Sequence, residues 1–128
     1  MTIINIENGQ DKIYNDAGFQ LIGSHAPNSD GLSPRELLEA ALGLCVSITL
    51  QKFIERDGLE FNKSEISIKV LAVKAAKPPS RFSKFIVHVT LPSGLDLAYK
   101  EQLKEEVEKA CTISNTLHMG ADIELLEV

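Results

Sequence analysis

One long apolar segment constrains the fold of this chain more than any other feature. Residues 33–54 read SPRELLEAALGLCVSITLQKFI, with Cys45 near the middle. In the central fourteen residues, 37–50, the only plainly polar side chains are Glu39, Ser47 and Thr49. A helix that is apolar on nearly every side is either buried in a core or spans a membrane. Because fourteen residues are too few to cross a bilayer, we expect a buried central helix.

Capping residues mark both ends of this helix. Ser33 is a favourable N-cap, and Pro34 fits the first helical position, where its missing N–H has no cost. Glu36 stands three residues after Ser33 and completes a capping box. We expect the helix to run to about Asp57, with Gly58 ending it in the left-handed conformation.

Alternating apolar and polar residues predict strands on both sides of the helix. The dipeptide Asn8-Gly9 is a strong hairpin signal between the first two of them. The predicted strands are Thr2–Glu7, Lys12–Asn15, Phe19–Ile22, Glu65–Lys74, Phe82–Leu91 and Asp122–Val128.

A second helix is expected from about Asp96, with an apolar stripe on one side and charged residues on the other. Together these elements indicate an α+β fold with largely antiparallel sheets, in a single domain that covers residues 1–128. Enclosing an apolar helix on every side takes more sheet than one small chain readily supplies. We therefore expect two copies of the chain to form a dimer.

Composition narrows the class of protein. A formal net charge of −5 without a basic stripe argues against a nucleic-acid partner. The first ten residues carry neither a basic region nor a long apolar run, so no secretory signal is visible and a cytoplasmic location is expected. In a reducing compartment, two cysteines are more often reactive or simply buried than joined in a permanent disulfide.

The two cysteines lie in segments that together resemble a known family. The first segment runs Ser33-Pro34-Arg35-Glu36-Leu37-Leu38 and then Ala40-Ala41-Leu42-Gly43-Leu44-Cys45, and the second is Cys111-Thr112-Ile113-Ser114-Asn115-Thr116-Leu117. A Ser/Asn-Pro-x-x-Leu helix with an internal cysteine, followed far downstream by Cys-x-x-Ser-Asn, resembles the OsmC/Ohr family. These are the osmotically inducible and organic hydroperoxide resistance proteins. The resemblance extends from about Gly31 to the C-terminus.

The resemblance implies an OsmC-like fold, an intertwined homodimer and a role in oxidative stress defence. It implies that Cys45 attacks an organic hydroperoxide and becomes a sulfenic acid, and that Cys111 then forms a disulfide with it. We expect no cofactor and no membrane partner. The reductant in the family is a dithiol, with lipoyl groups in the best-known branch. Trapping a sulfenic acid in this way requires the two Cα atoms to come within roughly 4.4–6.8 Å.

The gain in reactivity from ionising the attacking thiol follows from its ordinary pKa. An unperturbed thiol is roughly 3% thiolate at pH 7, so complete ionisation gains about 30-fold in nucleophile, on the order of 2 kcal/mol. The dipole of its own helix cannot supply this gain, because Cys45 lies about twelve residues inside the N-terminus. From within that helix, only Thr49, four residues on, offers the thiol a hydrogen bond.

The sequence departs from the best-described peroxidase branch of the family, which places an N-terminal arginine and a glutamate near the helix cysteine. Here no arginine precedes Arg35, and Glu36 is the nearest acid. Arg81, in the run Pro-Pro-Ser-Arg-Phe, is a second candidate cation. Arg35 and Arg81 can equally be exposed side chains that cover apolar surface, and Glu36 can be a capping acid.

Two other classes of function compete with a peroxidase. A zinc site could draw on the two cysteines with His25, His88 and His118, but there is no Cys-x-x-Cys and no histidine pair at helical spacing. We therefore expect no metal. The remaining alternative is a non-catalytic dimeric scaffold or small-molecule carrier whose thiols are inert core residues.

Overall fold

A computed structural model describes all 128 residues and has an α+β fold with antiparallel sheets and three α-helices. The chain divides into two compact units, residues 1–40 and 41–128, and the first helix runs through the boundary between them. Each unit is described separately. The expectation of a single domain stays a prediction.

The first unit contains a three-stranded antiparallel sheet. Its strands are β1 (Thr2–Glu7), β2 (Gln10–Asn15) and β3 (Gln20–Gly23), in the order β1-β2-β3. The predicted hairpin is confirmed, because Asn8 and Gly9 both have positive φ, at 52° and 74°. Ile3, Ile4 and Ile6 of β1 are exposed, so the sheet presents apolar side chains to solvent.

Helix α1 (Pro34–Arg56) has the ends predicted from the sequence. The capping box is confirmed: the N–H of Glu36 donates to Ser33 Oγ at 3.3 Å, and the Ser33 N–H donates back to Glu36 Oε1 at 3.0 Å. At the other end Gly58 adopts φ 71°, and the N–H of Leu59 donates to the carbonyl of Ile54. This arrangement is a Schellman motif, which stops the helix with its last carbonyls paired.

The second unit is built on one face of α1. Its two strands, β4 (Ser67–Lys74) and β5 (Phe82–Thr90), form an antiparallel pair. Gly43 permits close approach of this sheet, because a Cβ added there would lie 3.1 Å from Val70 Cγ2. The buried stripe of α1, spaced by four residues, consists of Leu42, Val46, Leu50 and Ile54.

The opposite face of α1 is open, which corrects the expectation of a helix buried all round. Leu44 is 62% exposed and Ile48 is 43% exposed, although both are apolar. The physical reason is that one two-stranded sheet and two short helices pack against one side of α1 only, the side of Leu42 and Ile54. By length and composition alone α1 could cross a membrane, but core helices of soluble proteins satisfy the same test. Its stripe packed in a core favours that second interpretation.

Two consecutive helices complete the core of the second unit. Helix α2 (Leu97–Ala110) begins at the predicted Asp96, whose side chain accepts the N–H of Tyr99, and buries Leu103 and Val107. Helix α3 (Thr112–Met119) follows after one residue, Cys111. The sequence analysis did not predict α3 as a separate helix.

The predicted final strand is wrong for this single chain. Residues 121–128 have no regular secondary structure. A strand requires a neighbour to pair its backbone groups, and these residues have no strand partner in the chain. Ile123 and Leu125 are consequently almost fully exposed, at 94% and 96%.

Candidate active site at the two thiols

The two cysteines lie side by side in the second unit. Cys45, in α1, is half-buried, whereas Cys111, between α2 and α3, is fully buried, and both are free thiols. Their sulfur atoms are 2.9 Å apart, although the residues are separated by 66 positions in the chain. The structure thus brings together the two residues that the sequence analysis singled out.

The joint between α2 and α3 positions Cys111. Its backbone is extended, with φ −71° and ψ 111°, so it ends one helix and precedes the next. Its N–H donates to the carbonyl of Val107, and its carbonyl accepts the N–H of Asn115. The Asn115 side chain also donates to the carbonyl of Lys109 at 3.0 Å, so Asn115 bonds both to Cys111 and to the last turn of α2.

Asn115 is a positioning residue to which the sequence analysis gave no role. Its hydrogen bonds tie α3 to the end of α2 on either side of the buried thiol. The signal for it was present, because Asn115 is the last residue of the Cys-x-x-Ser-Asn segment. Its partners are main-chain carbonyls, however, and the position of a carbonyl at a helix joint cannot be read from residue types.

Opposing effects act on the Cys45 thiol. Burial raises its pKa, but hydrogen bonds from Cys111, from the main-chain N–H groups of Ile113 and Thr112, and from Thr49 outweigh burial. The net pKa of Cys45 lies below its ordinary value. Each of these donors is neutral, so the thiolate is favoured here by hydrogen bonds rather than by a cation.

The Cys111 thiol is affected in the opposite sense. Burial raises its pKa, and its hydrogen bond to Cys45 raises it further, because ionisation would place a second negative charge beside the first. Main-chain N–H groups of Ser114 and Ile113 offset this only in part. Cys111 therefore stays protonated and donates its S–H to Cys45.

Thr49 makes a second hydrogen bond that limits its effect on the pKa of Cys45. Its hydroxyl donates to the carbonyl oxygen of Cys45 at 2.7 Å, within the same helix. It also lowers the pKa of the Cys45 sulfur. Because a hydroxyl has one proton, it serves one of these acceptors at a time, and the main-chain N–H groups are the more constant donors.

The charged candidates lie elsewhere in the chain. Arg35 and Glu36 belong to the first unit, where Glu36 caps α1 and Arg35 approaches Glu39 at 3.7 Å. The hydrogen bonds from Ser33 hold the pKa of Glu36 below its usual value. Arg81 is exposed just before β5, with its carbonyl accepting the N–H of Ala75. Neither Arg81 nor another arginine lines the groove beside the thiols.

A groove of about 750 Å³ borders the thiol pair in the second unit. Cys111 contributes to its wall, and Cys45 does not. Its walls are mainly apolar side chains of α1, β5, α2 and α3, and polar groups lie among them. The apolar lining is Leu42, Val46, Leu50, Phe82, Phe85, Val87, Val89, Val107 and Leu117, and the charged or titratable lining is Lys84, Lys104, Glu108, His118 and Cys111.

The structure forms no group of three or more His, Cys, Asp or Glu side chains that could hold a metal ion. His25 Nε2 donates to the Asp11 carboxylate at 3.0 Å and lies in the first unit, whereas His118 lines the groove. The chemistry that this site offers on the residues present is that of two adjacent thiols.

Solved structures of several other proteins have the same fold as this chain. An OsmC-like protein from Mycoplasma pneumoniae is 18% identical, with a TM-score of 0.76, covering 92% of this chain and 86% of that one. An organic hydroperoxide resistance protein OsmC from Legionella pneumophila, described also as a predicted redox protein, is 18% identical with a TM-score of 0.64, covering 91% and 88%.

An organic hydroperoxide resistance protein from Elizabethkingia anophelis is 14% identical, with a TM-score of 0.67 and coverage of 90% and 84%. No functionally curated protein matches the sequence. The sequence profile of the family described as "OsmC-like protein" matches residues 26–126, which include both cysteines. The chain therefore belongs to the OsmC-like protein family.

Proposed function

We propose that this protein reduces organic hydroperoxides with its two thiols, Cys45 as the attacking residue and Cys111 as the resolving one. The observation that carries the proposal is the 2.9 Å contact between the two sulfur atoms. Two neighbours of the same fold are described as organic hydroperoxide resistance proteins, which supports the same chemistry. The opposite pKa shifts of the two thiols suit the two roles.

In the first step, the Cys45 thiolate attacks the terminal oxygen of the hydroperoxide. A sulfur–oxygen bond forms and the O–O bond breaks, so Cys45 is oxidised to a sulfenic acid and the peroxide is reduced to an alkoxide. The alkoxide takes a proton from water and leaves as an alcohol. A thiolate is required because the thiol is a poor nucleophile.

In the second step, the Cys111 sulfur attacks the Cys45 sulfur. A disulfide forms, and the hydroxyl of the sulfenic acid leaves as water with the proton of the Cys111 thiol. An external dithiol, such as a lipoyl group, then reduces the disulfide by thiol–disulfide exchange and becomes a cyclic disulfide itself. Two electrons pass from the dithiol to the peroxide in each cycle.

The remaining assignments concern the setting of the reaction. We place it in the cytoplasm and in an intertwined homodimer. Apolar side chains are exposed on β1, on the open face of α1 and among the last eight residues. These side chains support a second copy of the chain, because large exposed apolar patches are typical of protein–protein interfaces. Light scattering on the purified protein tests the dimer, and a monomer mass at micromolar concentration would contradict it.

The test of the function is a mass measurement. Reduced protein is mixed with one equivalent of cumene hydroperoxide, and its mass and free thiols are followed over time. We expect both thiols to disappear together, with a loss of two mass units, and peptide mapping to find a Cys45–Cys111 disulfide. Hydrogen peroxide at the same concentration serves as the comparison for an organic substrate. Thiols that survive an excess of cumene hydroperoxide would end the proposal.

The groove favours a second candidate function, the binding of an apolar small molecule without catalysis. Its volume falls within the range of ligand pockets, and apolar side chains make up about half of its walls. A carrier would bind a fluorescent fatty acid equally well with both thiols replaced by serine, and would leave peroxide unchanged. A peroxidase would instead lose its activity with Cys45→Ser, whatever the groove binds.

A further inference from the structure

The two thiols form a close pair that the fold holds together without a bond. Their sulfur atoms are 2.9 Å apart, whereas a disulfide bond is about 2.05 Å long. Cys45 lies within α1 and Cys111 lies between α2 and α3, and both belong to the packed core of the second unit. An electrophile that bonds to two sulfur atoms therefore bridges this pair with little movement of the backbone.

The pair offers two ligands and no more. The structure forms no group of three or more His, Cys, Asp or Glu side chains that could hold a metal ion, and structural zinc takes four such ligands. A divalent cation would also need both thiols ionised. Burial and the neighbouring Cys45 raise the pKa of Cys111 and oppose its ionisation. The pair is therefore suited to an atom that bonds covalently to both sulfur atoms, brings its own remaining substituent and leaves a neutral product.

We propose that the reduced pair of Cys45 and Cys111 is a covalent binding site for monosubstituted trivalent arsenicals. In such a compound the arsenic atom carries one organic group and two hydroxyls that thiols replace. Soft elements prefer sulfur ligands, and trivalent arsenic is one of them. The organic group fills the position for which this site has no third ligand.

Both arsenic–sulfur bonds form by condensation, without an oxidant or a reductant. Cys45, the half-buried thiol, reacts first, because Cys111 has no exposed surface. An arsenic–sulfur bond forms, an arsenic–oxygen bond breaks, and the hydroxyl leaves as water with the thiol proton. Cys111 then replaces the remaining hydroxyl in the same way. Arsenic stays trivalent throughout, and each thiol loses one proton.

The organic group of the arsenical has room beside the pair. The groove of about 750 Å³ borders Cys111, and Leu42 and Val46 line it from α1, three residues before Cys45 and one residue after it. Val107 and Leu117 line it from α2 and α3. A flat apolar group such as a phenyl ring suits walls of this kind. Phenylarsine oxide, which hydrates to the dihydroxy form in water, is therefore the compound for the test.

The closeness of Cys111 determines how firmly an arsenical is held. Once arsenic is bonded to Cys45, the second bond closes within the same molecule, at the effective concentration of a thiol that is already in place. A second attachment of this kind strengthens binding by about 10²–10⁴-fold. Glutathione, a monothiol, lacks this advantage, whereas the dithiol dimercaptopropanol has it. The pair should therefore retain phenylarsine oxide against glutathione and release it to dimercaptopropanol.

The first measurement is the affinity of the reduced protein for phenylarsine oxide in a fixed excess of glutathione, followed by the mass of the intact protein. We expect one phenylarsenic group per chain. Cys45→Ser and Cys111→Ser should each bind about 10²–10⁴-fold more weakly, because each retains one thiol. Unchanged affinity in Cys111→Ser would overturn the proposal, since Cys45 alone would then account for the binding.

A second measurement needs no variant to fold. The unmodified protein is saturated with phenylarsine oxide, unfolded in urea and treated with iodoacetamide, and its peptides are mapped. Cys45 and Cys111 should both resist alkylation, whereas both should be alkylated in arsenical-free protein or after addition of dimercaptopropanol. Alkylation of Cys111 in the arsenical-bound protein would contradict a bridge between the two sulfur atoms.

Inorganic arsenite tests the number of ligands. Arsenite has no organic group and forms its firmest complexes with three thiolates, whereas the chain contains two cysteines. We expect glutathione to displace arsenite at concentrations that leave phenylarsine oxide bound. Arsenite held more firmly than phenylarsine oxide would contradict a site of two ligands.

Arsenical binding involves neither a peroxide nor electron transfer, so it goes beyond the proposed function and does not depend on it. A protein that retains phenylarsine oxide but ignores cumene hydroperoxide would reject the proposed function and leave the arsenical site standing. A protein that reduces cumene hydroperoxide but loses phenylarsine oxide to glutathione would reject the arsenical site alone. Where both hold, bound phenylarsine oxide should stop hydroperoxide reduction, because both thiols are occupied.

Discussion

Cys45 and Cys111 are the same residue type and lie side by side in the fold, yet their surroundings shift the pKa values of the two thiols in opposite directions. Their sulfur atoms are 2.9 Å from each other, and the pKa of one is lowered while that of the other is raised. Cys45 is half-buried and receives a hydrogen bond from Cys111 as well as from main-chain N–H groups. Cys111 is enclosed in the core and gives its own hydrogen to Cys45. The comparison teaches that burial and the direction of the hydrogen bond between the two sulfur atoms, rather than residue type, set the opposite pKa shifts.

The largest expected effect comes from deleting the nucleophile. Cys45→Ser should reduce the consumption of cumene hydroperoxide to background, because a serine hydroxyl in this setting is not ionised and does not reduce peroxides. A coupled assay with a dithiol reductant measures the turnover. Cys45→Ser also keeps a hydrogen-bond acceptor at the end of α3, so the fold should persist by circular dichroism. Full turnover in this variant would reverse the assignment of the two thiols.

Replacing the second thiol should separate one oxidation from a full cycle. Cys111→Ser should consume one equivalent of hydroperoxide and then stop, since no thiol remains to trap the sulfenic acid. Mass spectrometry should find Cys45 with one added oxygen, or more at higher peroxide concentration. Continued turnover without Cys111 would show that an external thiol resolves Cys45 directly.

The pH dependence should sharpen the contrast between the thiols. Alkylation of Cys45 should rise with pH around a midpoint below that of an ordinary thiol, because hydrogen bonds favour its thiolate. The midpoint for Cys111 should lie above that of an ordinary thiol, because burial and the neighbouring Cys45 disfavour its ionisation. Replacing Cys45 by serine should lower the pKa of Cys111. Superimposable pH profiles for the two thiols would contradict the opposite shifts of their pKa values.

The joint that positions Cys111 should contribute a smaller effect. Asn115→Ala removes the hydrogen bond to the carbonyl of Lys109, at an expected cost of about 1 kcal/mol in the free energy of unfolding. Gln102→Ala is the control, because its bond to Glu106 lies within α2 and on the surface, where such pairs are worth about 0.3 kcal/mol. Urea unfolding measures both, and equal costs would show that the joint has no special role.

Thr49 should have the smallest effect. Thr49→Val removes its hydroxyl and should raise the pKa of Cys45 only slightly, with about a twofold slower alkylation at pH 7. The reason is that the hydroxyl already donates to the Cys45 carbonyl. Ser47→Ala, which removes a hydroxyl bonded to Gln51 on the same helix, is the control. A tenfold change with Thr49→Val would make the Thr49 hydroxyl a principal donor to the Cys45 sulfur.

The sequence predicted the elements whose signals are local. The capped helix, the Asn8-Gly9 hairpin and the strands β1 to β5 follow from periodicity and from capping or turn residues, and the structure confirms them. The pair of cysteines was found from motifs. Local patterns did not predict the open face of α1 or the lack of regular structure in residues 121–128. Both depend on which other surfaces pack against these residues, and periodicity within the sequence does not describe that.

The donors around Cys45 could not be read from the sequence for a different reason. Sequence reasoning searched for a cation beside Cys45 and named Arg35 and Arg81, because a charged side chain is visible in a sequence. Main-chain N–H groups of Ile113 and Thr112 are among the donors that lower the pKa of Cys45, and every residue except proline possesses such a group. Residue types therefore do not single these donors out.

The short gap between the sulfur atoms bears on what a disulfide between them would change in the fold. A disulfide bond is about 2.05 Å long, so bridging Cys45 and Cys111 needs a displacement of less than about 1 Å from the 2.9 Å seen here. A shift of that size does not require a helix to unwind, so we expect the oxidised and reduced forms of the protein to share one backbone.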